Sequence, residues 1–156
     1  MLRIGNNVPR GSYPNVRNRY LSDRLNPFEH ELFLKIVQAF PLLTHLTLNN
    51  RKRQKYERMN ESEQNSATSS IAEFSHLTHL NFIFTHIDYP EQFLVETNTH
   101  LPSRIELTVG YEALEIVTEN FTRDTTRRNC SLLECINVHQ LMVDSKDFYS
   151  YFPSYK

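Results

Sequence analysis

Glycine is scarce in this sequence, with three residues among 156. Glycine supplies the turns of many-hairpin β proteins and the loops that cradle phosphates, so both are disfavoured here. Tryptophan is absent, and the only cysteines are Cys130 and Cys135. Two thiols without a secretory signal indicate a reducing compartment. We therefore expect the protein in the cytoplasm, with the nucleus as the alternative.

Long apolar runs and an excess of charge of one sign are also missing. No segment approaches the length of a membrane span, and the N-terminus shows no signal-peptide pattern. The formal net charge is −1, which provides no general attraction to nucleic acid or to an acidic membrane. A chain of this length can bury a core of its own. We expect a single domain over residues 1–156, without membrane contact.

What the sequence does contain is a repeated string of the form L-x-x-L-x-L. The clearest copies are FPLLTHLTL (Phe40–Leu48) and FSHLTHLNF (Phe74–Phe82). If five frames start at Val16, Leu43, Leu77, Arg104 and Leu133, the successive steps are 27, 34, 27 and 29 residues. Repeats of roughly 20–29 residues, each with a strand and a helix, are typical of leucine-rich solenoids.

The long second step is explained by the polar, low-complexity segment Asn49–Ser70. It has too few aliphatic residues to pack on a core, so we predict a disordered loop insertion. It contains the basic run RKRQKYER (Arg51–Arg58), a pattern that nucleic-acid surfaces also show. Tyr56 is the only aromatic residue in that run, so we interpret it as a solvated loop, with nucleic-acid binding as the alternative. The cluster TRDTTRR, which ends at Arg128, is interpreted in the same way.

Segments with helical periodicity lie between the frames. NPFEHELFLKIVQAF offers Asn26 as N-cap and Pro27 at the first helical position. DYPEQFLVET and SKDFYSYF have Asp88 and Ser145 as caps, and YEALEIVTENF predicts a further helix. Parallel strands need crossover connections, which helices supply. The alternation predicts an α/β solenoid, a short horseshoe of four to five repeats with parallel strands on the concave face and helices on the convex face.

Two arginines depart from the repeat pattern. Arg19 and Arg104 occupy frame positions where leucine is expected. A buried, unpaired guanidinium is strongly destabilising, so each should extend outward or lie in a locally broken repeat. The register of the first and fourth repeats is therefore open by a residue or two.

The strand positions that point away from the helices are the candidate binding residues. Side chains alternate along a strand, so the positions flanking the middle leucine face solvent. Neighbouring strands lie about 4.8 Å apart, which arranges these residues in two columns. A solvated sheet face is polar in any case, but we expect this surface to bind a protein partner. The residues are Asn18, Tyr20, Thr44, His45, Thr47, Thr78, His79, Asn81, Glu106, Thr108, Cys135 and Asn137.

The same face contains the residues that could bind a metal ion or act in catalysis. His45 and His79 should be neighbours, but His76 should point to the opposite side of its strand. A zinc site would need more ligands than these, so a pH-sensitive patch or plain surface histidines are preferred, and no metal or other cofactor is expected. Cys135 could act as a nucleophile with a histidine, but the acidic Glu106 beside it disfavours the thiolate. We expect no enzyme and no small-molecule substrate.

The repeats resemble the leucine-rich repeat superfamily in its longer, irregular form. SDRLNPFEHELFLKIVQAFPLLTHLTLNN, FSHLTHLNFIFTHIDYPEQFL, and ENFTRDTTRRN with SKDFYSYFP more closely resemble the repeat portion of F-box leucine-rich repeat proteins. In that family the F-box docks to a ubiquitin-ligase adaptor and the repeats hold the substrate; no stretch here resembles an F-box. The resemblance implies the substrate-recognition region of such a receptor, or a truncated relative. A stand-alone scaffold or inhibitor unrelated to ubiquitination is the alternative.

Overall fold

The computed structural model describes residues 3–4, 7–55, 70–139 and 145–155. The strands are β1 (Arg3–Ile4), β2 (Asn18–Ser22), β3 (His45–Asn49), β4 (Ala72–Glu73), β5 (His79–Phe82), β6 (Thr99–His100), β7 (Ile105–Gly110) and β8 (Leu133–His139). The helices are α1 (His30–Ala39), α2 (Asp88–Leu94), α3 (Tyr111–Val117), α4 (Asp124–Ser131) and α5 (Lys146–Tyr151). None of these helices is long and apolar enough to cross a membrane.

One parallel sheet organises the fold. Its strand order is β1-β2-β3-β5-β7-β8, and every neighbouring pair is parallel. Helices follow β2, β5, β7 and β8 along the chain, as crossover connections require. The predicted α/β class with a parallel sheet is confirmed. The short edge strand β1 and the separate parallel pair β4-β6 were not predicted.

The register of the sheet follows the predicted frames. His45 pairs with Asn18 on one side and with His79 on the other. Glu106 pairs in turn with His79 and with Cys135. The steps between these partners are 27, 34, 27 and 29 residues, the same as the steps between the frame starts. The strands therefore lie side by side in the order and spacing that the leucines predict.

The middle leucines of the repeats form the centre of the core. Leu46, Leu80 and Leu107 are all almost completely buried and face the helices. They belong to one hydrophobic cluster that also contains the buried faces of the helices. Helix residues of that cluster include Leu32, Phe33, Ile36, Phe93, Leu114 and Phe148. Helices thus cover one face of the sheet, and the alternate strand positions occupy the other face.

Arg19 keeps the first repeat in register. It pairs with Leu46 of β3, and its guanidinium lies 4.3 Å from the centre of the Phe40 ring. A cation over an aromatic face is stabilising, and the apolar stem of arginine can cover apolar surface. The first repeat therefore keeps its register with the guanidinium packed on Phe40, and the Arg19 Nε atom is buried without a hydrogen-bond partner among the described residues.

Arg104 is excluded from the fourth repeat by a local change of backbone. It lies exposed before β7 in the left-handed region, with φ +64°. Ile105 takes the buried position opposite Leu133, one residue later than the frame predicts. A bulge between Ile105 and Glu106 then restores the register. The predicted frame is correct on both sides of this one-residue irregularity.

The start of the first helix was predicted too early. Helix α1 begins at His30, with Glu29 as its N-cap, and not at Asn26 or Pro27. The Oδ1 atom of Asp23 accepts hydrogen bonds from the backbone N–H groups of Leu25 and Asn26. That turn holds the chain in a non-helical conformation up to the real start of the helix.

Of the caps predicted for two other helices, one is displaced by a residue and one is confirmed. Asp88 is the first residue of α2, whereas Ile87 occupies the N-cap position, so the predicted cap is one residue late. Ser145 does cap α5, because its Oγ accepts a hydrogen bond from the Phe148 N–H at 3.4 Å. The Ser145 prediction is confirmed.

Two segments interpreted as solvated loops are part of the fold. The cluster TRDTTRR contributes to α4, whose Thr126, Asn129 and Cys130 side chains are buried. Asn49 is the last residue of β3 and Asn50 is 1% exposed, so the insertion predicted over Asn49–Ser70 begins too early. Residues 56–69, with the end of the basic run, lie outside the described residues.

Candidate binding surface

Two columns of side chains cross the sheet on the face opposite the helices, as predicted. The strand register places five residues in each column, and every one is partly or fully exposed. We call these ten residues the polar strand face. The first column is Asn18, His45, His79, Glu106 and Cys135, and the second is Tyr20, Thr47, Asn81, Thr108 and Asn137.

The two histidines of the first column stack on each other. The His45 and His79 ring centres are 4.1 Å apart, and the ring planes differ by 7°. Thr44 and Thr78 precede the two strands, and each has its Oγ1 atom 2.8 Å from Nδ1 of the following histidine. Each hydroxyl also donates to a backbone carbonyl, that of Arg17 or that of Thr44.

The repeated Thr-His pair determines which ring nitrogen of each histidine carries the hydrogen. A hydroxyl has one hydrogen, which is used on the carbonyl, so Oγ1 of Thr44 or Thr78 must accept from Nδ1–H. This leaves Nε2 of each histidine as the atom that can contact a ligand. In His79 it lies 3.3 Å from Oε2 of Glu106, an ion pair when the imidazole is protonated. The other carboxylate oxygen of Glu106 accepts from Asn137 Nδ2 at 2.7 Å, which links three strands.

The pKa of His45 is shifted by its burial and by the neighbouring side chains of His79 and Glu106. Partial burial lowers its pKa, the neighbouring imidazole of His79 lowers it further, and the carboxylate of Glu106 opposes both. Because folding lowers this pKa, neutral His45 contributes stability above about pH 6.5. That contribution is lost as the pH falls through the folded-state value.

An NMR titration of the His45 ring is expected to give a pKa below 6.5. In Glu106→Gln it should fall further, because the carboxylate that favours the imidazolium is gone. In His79→Gln the pKa of His45 should rise, because the Coulombic effect of the neighbouring imidazole, which lowers it, is removed. Glu112→Gln, an exposed change on α3, serves as the control. Identical His45 titrations in all four proteins would contradict the described cluster.

Asn81 provides an unused acceptor in the middle of the face. Within the described part of the chain, its Oδ1 atom is buried and has no hydrogen-bond partner. The Asn81 residue lines a shallow depression of about 190 Å³ together with His45, His79 and Thr108. A buried acceptor without a partner is destabilising by roughly 1–3 kcal/mol.

The chemistry of the remaining positions is simple. Cys135 is exposed, and its thiol lies 3.8 Å from Oδ1 of Asn137. In the register, Glu106 stands between Cys135 and the histidines. Among the described residues, no three His, Cys, Asp or Glu side chains converge to hold a metal ion. The polar strand face therefore offers hydrogen bonds and a small charged cluster.

A second surface was missed by the sequence patterns. Arg24 follows β2 and Phe84 follows β5, so both lie at the edge where parallel strands end. They line a cleft together with Arg51 and Lys52 of the basic run. Each of these residues comes shortly after a strand, and this shared position in the sequence could have predicted that they lie together.

Comparison of the chain with protein families, with curated proteins and with solved structures finds no match.

Proposed function

We propose that the chain is a leucine-rich-repeat-like solenoid that binds a protein partner on its polar strand face, without catalysis. The main support is the exposure of one complete face of a parallel sheet. Parallel sheets are ordinarily covered on both faces, whereas solenoids leave the strand face open and use it for recognition. Here the exposed face carries polar side chains in register over five strands.

The arrangement of the side chains supports recognition by hydrogen bonds. His45 and His79 are held in one orientation by Thr44 and Thr78, so little side-chain entropy is lost when a partner binds. Rigid polar groups of this kind favour specificity over strong non-specific adhesion.

The setting follows from the resemblance to F-box leucine-rich repeat proteins. By that resemblance the partner is a substrate selected for ubiquitination, and the chain corresponds to the repeat region of the receptor. The alternative is a scaffold or inhibitor that uses the same face independently of ubiquitin. In both cases the same residues contact the partner.

Affinity capture with the double variant His45→Ala/His79→Ala tests this function. At least one partner captured by the wild type should be depleted about 10-fold, as expected when central contacts worth about 1.4 kcal/mol are removed. Glu112→Ala/Glu115→Ala, two changes on helix α3, is the matched control and should keep that partner. Equal capture of every partner by all three proteins would refute the proposal. A partner of the expected class would also gain ubiquitin when the chain is co-expressed as a fusion to an F-box, the docking module that no stretch of this chain resembles.

A further inference from the structure

The edge of the sheet at the carboxyl ends of the strands contains a cationic cleft of about 610 Å³. Open parallel sheets bind ligands in the crevice at this edge. The volume lies within the range of small-molecule sites, roughly 300–1,000 Å³. The cleft is lined by Asp23, Arg24, Asn49, Arg51, Lys52 and Phe84.

The backbone of the described part of the basic run, residues 51–55, is fixed by side chains anchored in the fold. The buried Asn50 donates from Nδ2 to the Asn26 carbonyl and accepts from the Lys52 N–H, both at 2.8 Å. The Tyr89 hydroxyl donates to the Lys52 carbonyl at 2.6 Å and accepts from the Phe28 N–H at 3.0 Å. Tyr89 is itself completely buried, and burial raises its pKa to about 12. Its hydroxyl therefore stays neutral and can keep donating.

The next residues of the run are held in the same way. Gln54 donates from its backbone N–H to Asp88 Oδ2 at 2.9 Å, and Lys55 donates from its N–H to Glu29 Oε1 at 2.7 Å. The carboxylates of Asp88 and Glu29 thus accept hydrogen bonds from backbone N–H groups, and Asp88 Oδ2 also lies 4.0 Å from the Arg53 Nε atom. The cationic side chains of Arg51, Lys52, Arg53 and Lys55 are exposed. The fold therefore holds the chain that carries these cations, which lowers the entropy cost of binding an anion.

Phe84 supplies an aromatic surface beside these cations. Its side chain is 66% exposed, and the Arg51 guanidinium lies 5.0 Å from the ring centre. Its φ of +48° is in the left-handed region, which is unfavourable for a phenylalanine. The backbone is held there by hydrogen bonds on both sides, from Ile83 N to Leu48 O and from His86 N to Asn50 O, each 2.8 Å. Core packing does not account for an exposed ring in this conformation.

We propose that the cleft binds a nucleotide unit, either free or within a single strand. The base would stack on Phe84, as bases do on exposed aromatic rings. The phosphate would contact the guanidinium groups of Arg24 and Arg51 and the ammonium group of Lys52. The lining also contains the carboxylate of Asp23, whose Oδ1 is used by two backbone N–H groups. An acidic peptide would meet the cations but would not need the aromatic face.

Fluorescence anisotropy with labelled ten-residue oligothymidylate and oligouridylate, at low salt, tests the proposal. Phe84→Asn is expected to weaken binding about 10-fold, because one base–aromatic stack is lost. Asparagine tolerates the left-handed region, so the loop conformation should persist. Arg51→Gln should weaken binding to a similar extent and reduce the salt dependence, because a phosphate contact is removed.

A matched control is available elsewhere in the chain. Arg127 is also exposed and lies 4.9 Å from the centre of the Tyr151 ring, so Arg127→Gln makes the same chemical change away from the cleft. It should leave oligonucleotide affinity unchanged. His45→Ala/His79→Ala should also leave it unchanged, which separates this site from the polar strand face.

Competition identifies the source of the nucleotide. Displacement of the labelled strand by adenosine or uridine monophosphate supports a free nucleotide, and displacement only by unlabelled oligonucleotide supports a single strand. The proposal is overturned if Phe84→Asn or Arg51→Gln retains full affinity. Displacement by tripolyphosphate or polyglutamate as effective as that by nucleotide, or no binding at millimolar nucleotide, would also overturn it.

Discussion

Replacing Phe93 with alanine is expected to lower the free energy of unfolding by about 3–5 kcal/mol. Phe93 is completely buried in α2, and its ring centre lies 5.0, 5.5 and 5.8 Å from those of Phe33, Phe74 and Phe82. These three rings come from α1, from the segment after β4 and from β5. Alanine would remove the contacts of all three together and leave a cavity where the second helix meets the sheet.

Urea denaturation of the wild type and of Phe93→Ala measures this loss. Phe84→Ala is the matched control, because it makes the same chemical change at a ring that is 66% exposed. Its effect should stay within about 0.5 kcal/mol, as for surface substitutions. The packing described for α2 would be contradicted if the two variants lost similar amounts of stability.

The sheet was predictable because its signal is periodic. Leu46, Leu80 and Leu107 recur at the same place in each frame, and a shift of one residue would turn each of them to solvent. The register, and with it the two polar columns, follows from that constraint. The stacking of His45 on His79 was not predictable in detail, since it depends on hydroxyl groups that lock both rings.

The anchors of the basic run could not be recognised from the sequence. Asn50 and Gln54 look like ordinary loop residues, and the charges around them indicate a solvated segment. Their partners include Asn26 and Phe28, which are distant in the sequence and belong to no shared pattern. Buried polar pairs of this kind become visible only when the fold brings both members together.

Helix α4 shows why polarity alone was misleading. Thr126, Asn129 and Cys130 have the spacing of one helical face, and all three are buried. Small residues of this kind are common in loops, so each of them, considered singly, indicates a loop and not a buried helix. The face is stable in the core because its polar atoms are bonded. One of those bonds joins the Thr126 and Tyr151 hydroxyl groups.

Asn129→Asp is expected to destabilise the protein by at least about 3 kcal/mol, because several buried polar groups would lose their partner at once. Asn129 is completely buried, and its Nδ2 atom lies 3.1, 3.2 and 2.7 Å from the carbonyl oxygens of Phe93, Leu94 and Thr99. Its Oδ1 atom accepts from the Leu101 N–H at 3.2 Å. One side chain therefore joins α4 to the end of α2 and to β6.

Aspartate has the shape of asparagine, so this substitution tests the hydrogen bonds and not the packing. The ionised carboxylate would place an oxygen against three carbonyl oxygens, an unfavourable contact for a buried charge. The protonated carboxyl has one hydrogen to donate, and burial raises the pKa of a carboxyl group. The loss of stability should therefore be smaller at pH 5 than at pH 7.5, because the neutral form relieves part of the repulsion.

Asn120→Asp is the matched control for this effect. Asn120 is exposed and has φ +56°, a conformation that aspartate tolerates as well as asparagine does. Its unfolding free energy should change by no more than about 0.5 kcal/mol at either pH. If Asn129→Asp unfolded at the same urea concentration as Asn120→Asp, the amide could not be the link between α4, α2 and β6. A large loss at Asn129 alone would mean that a single buried amide holds the second half of the helical layer in place.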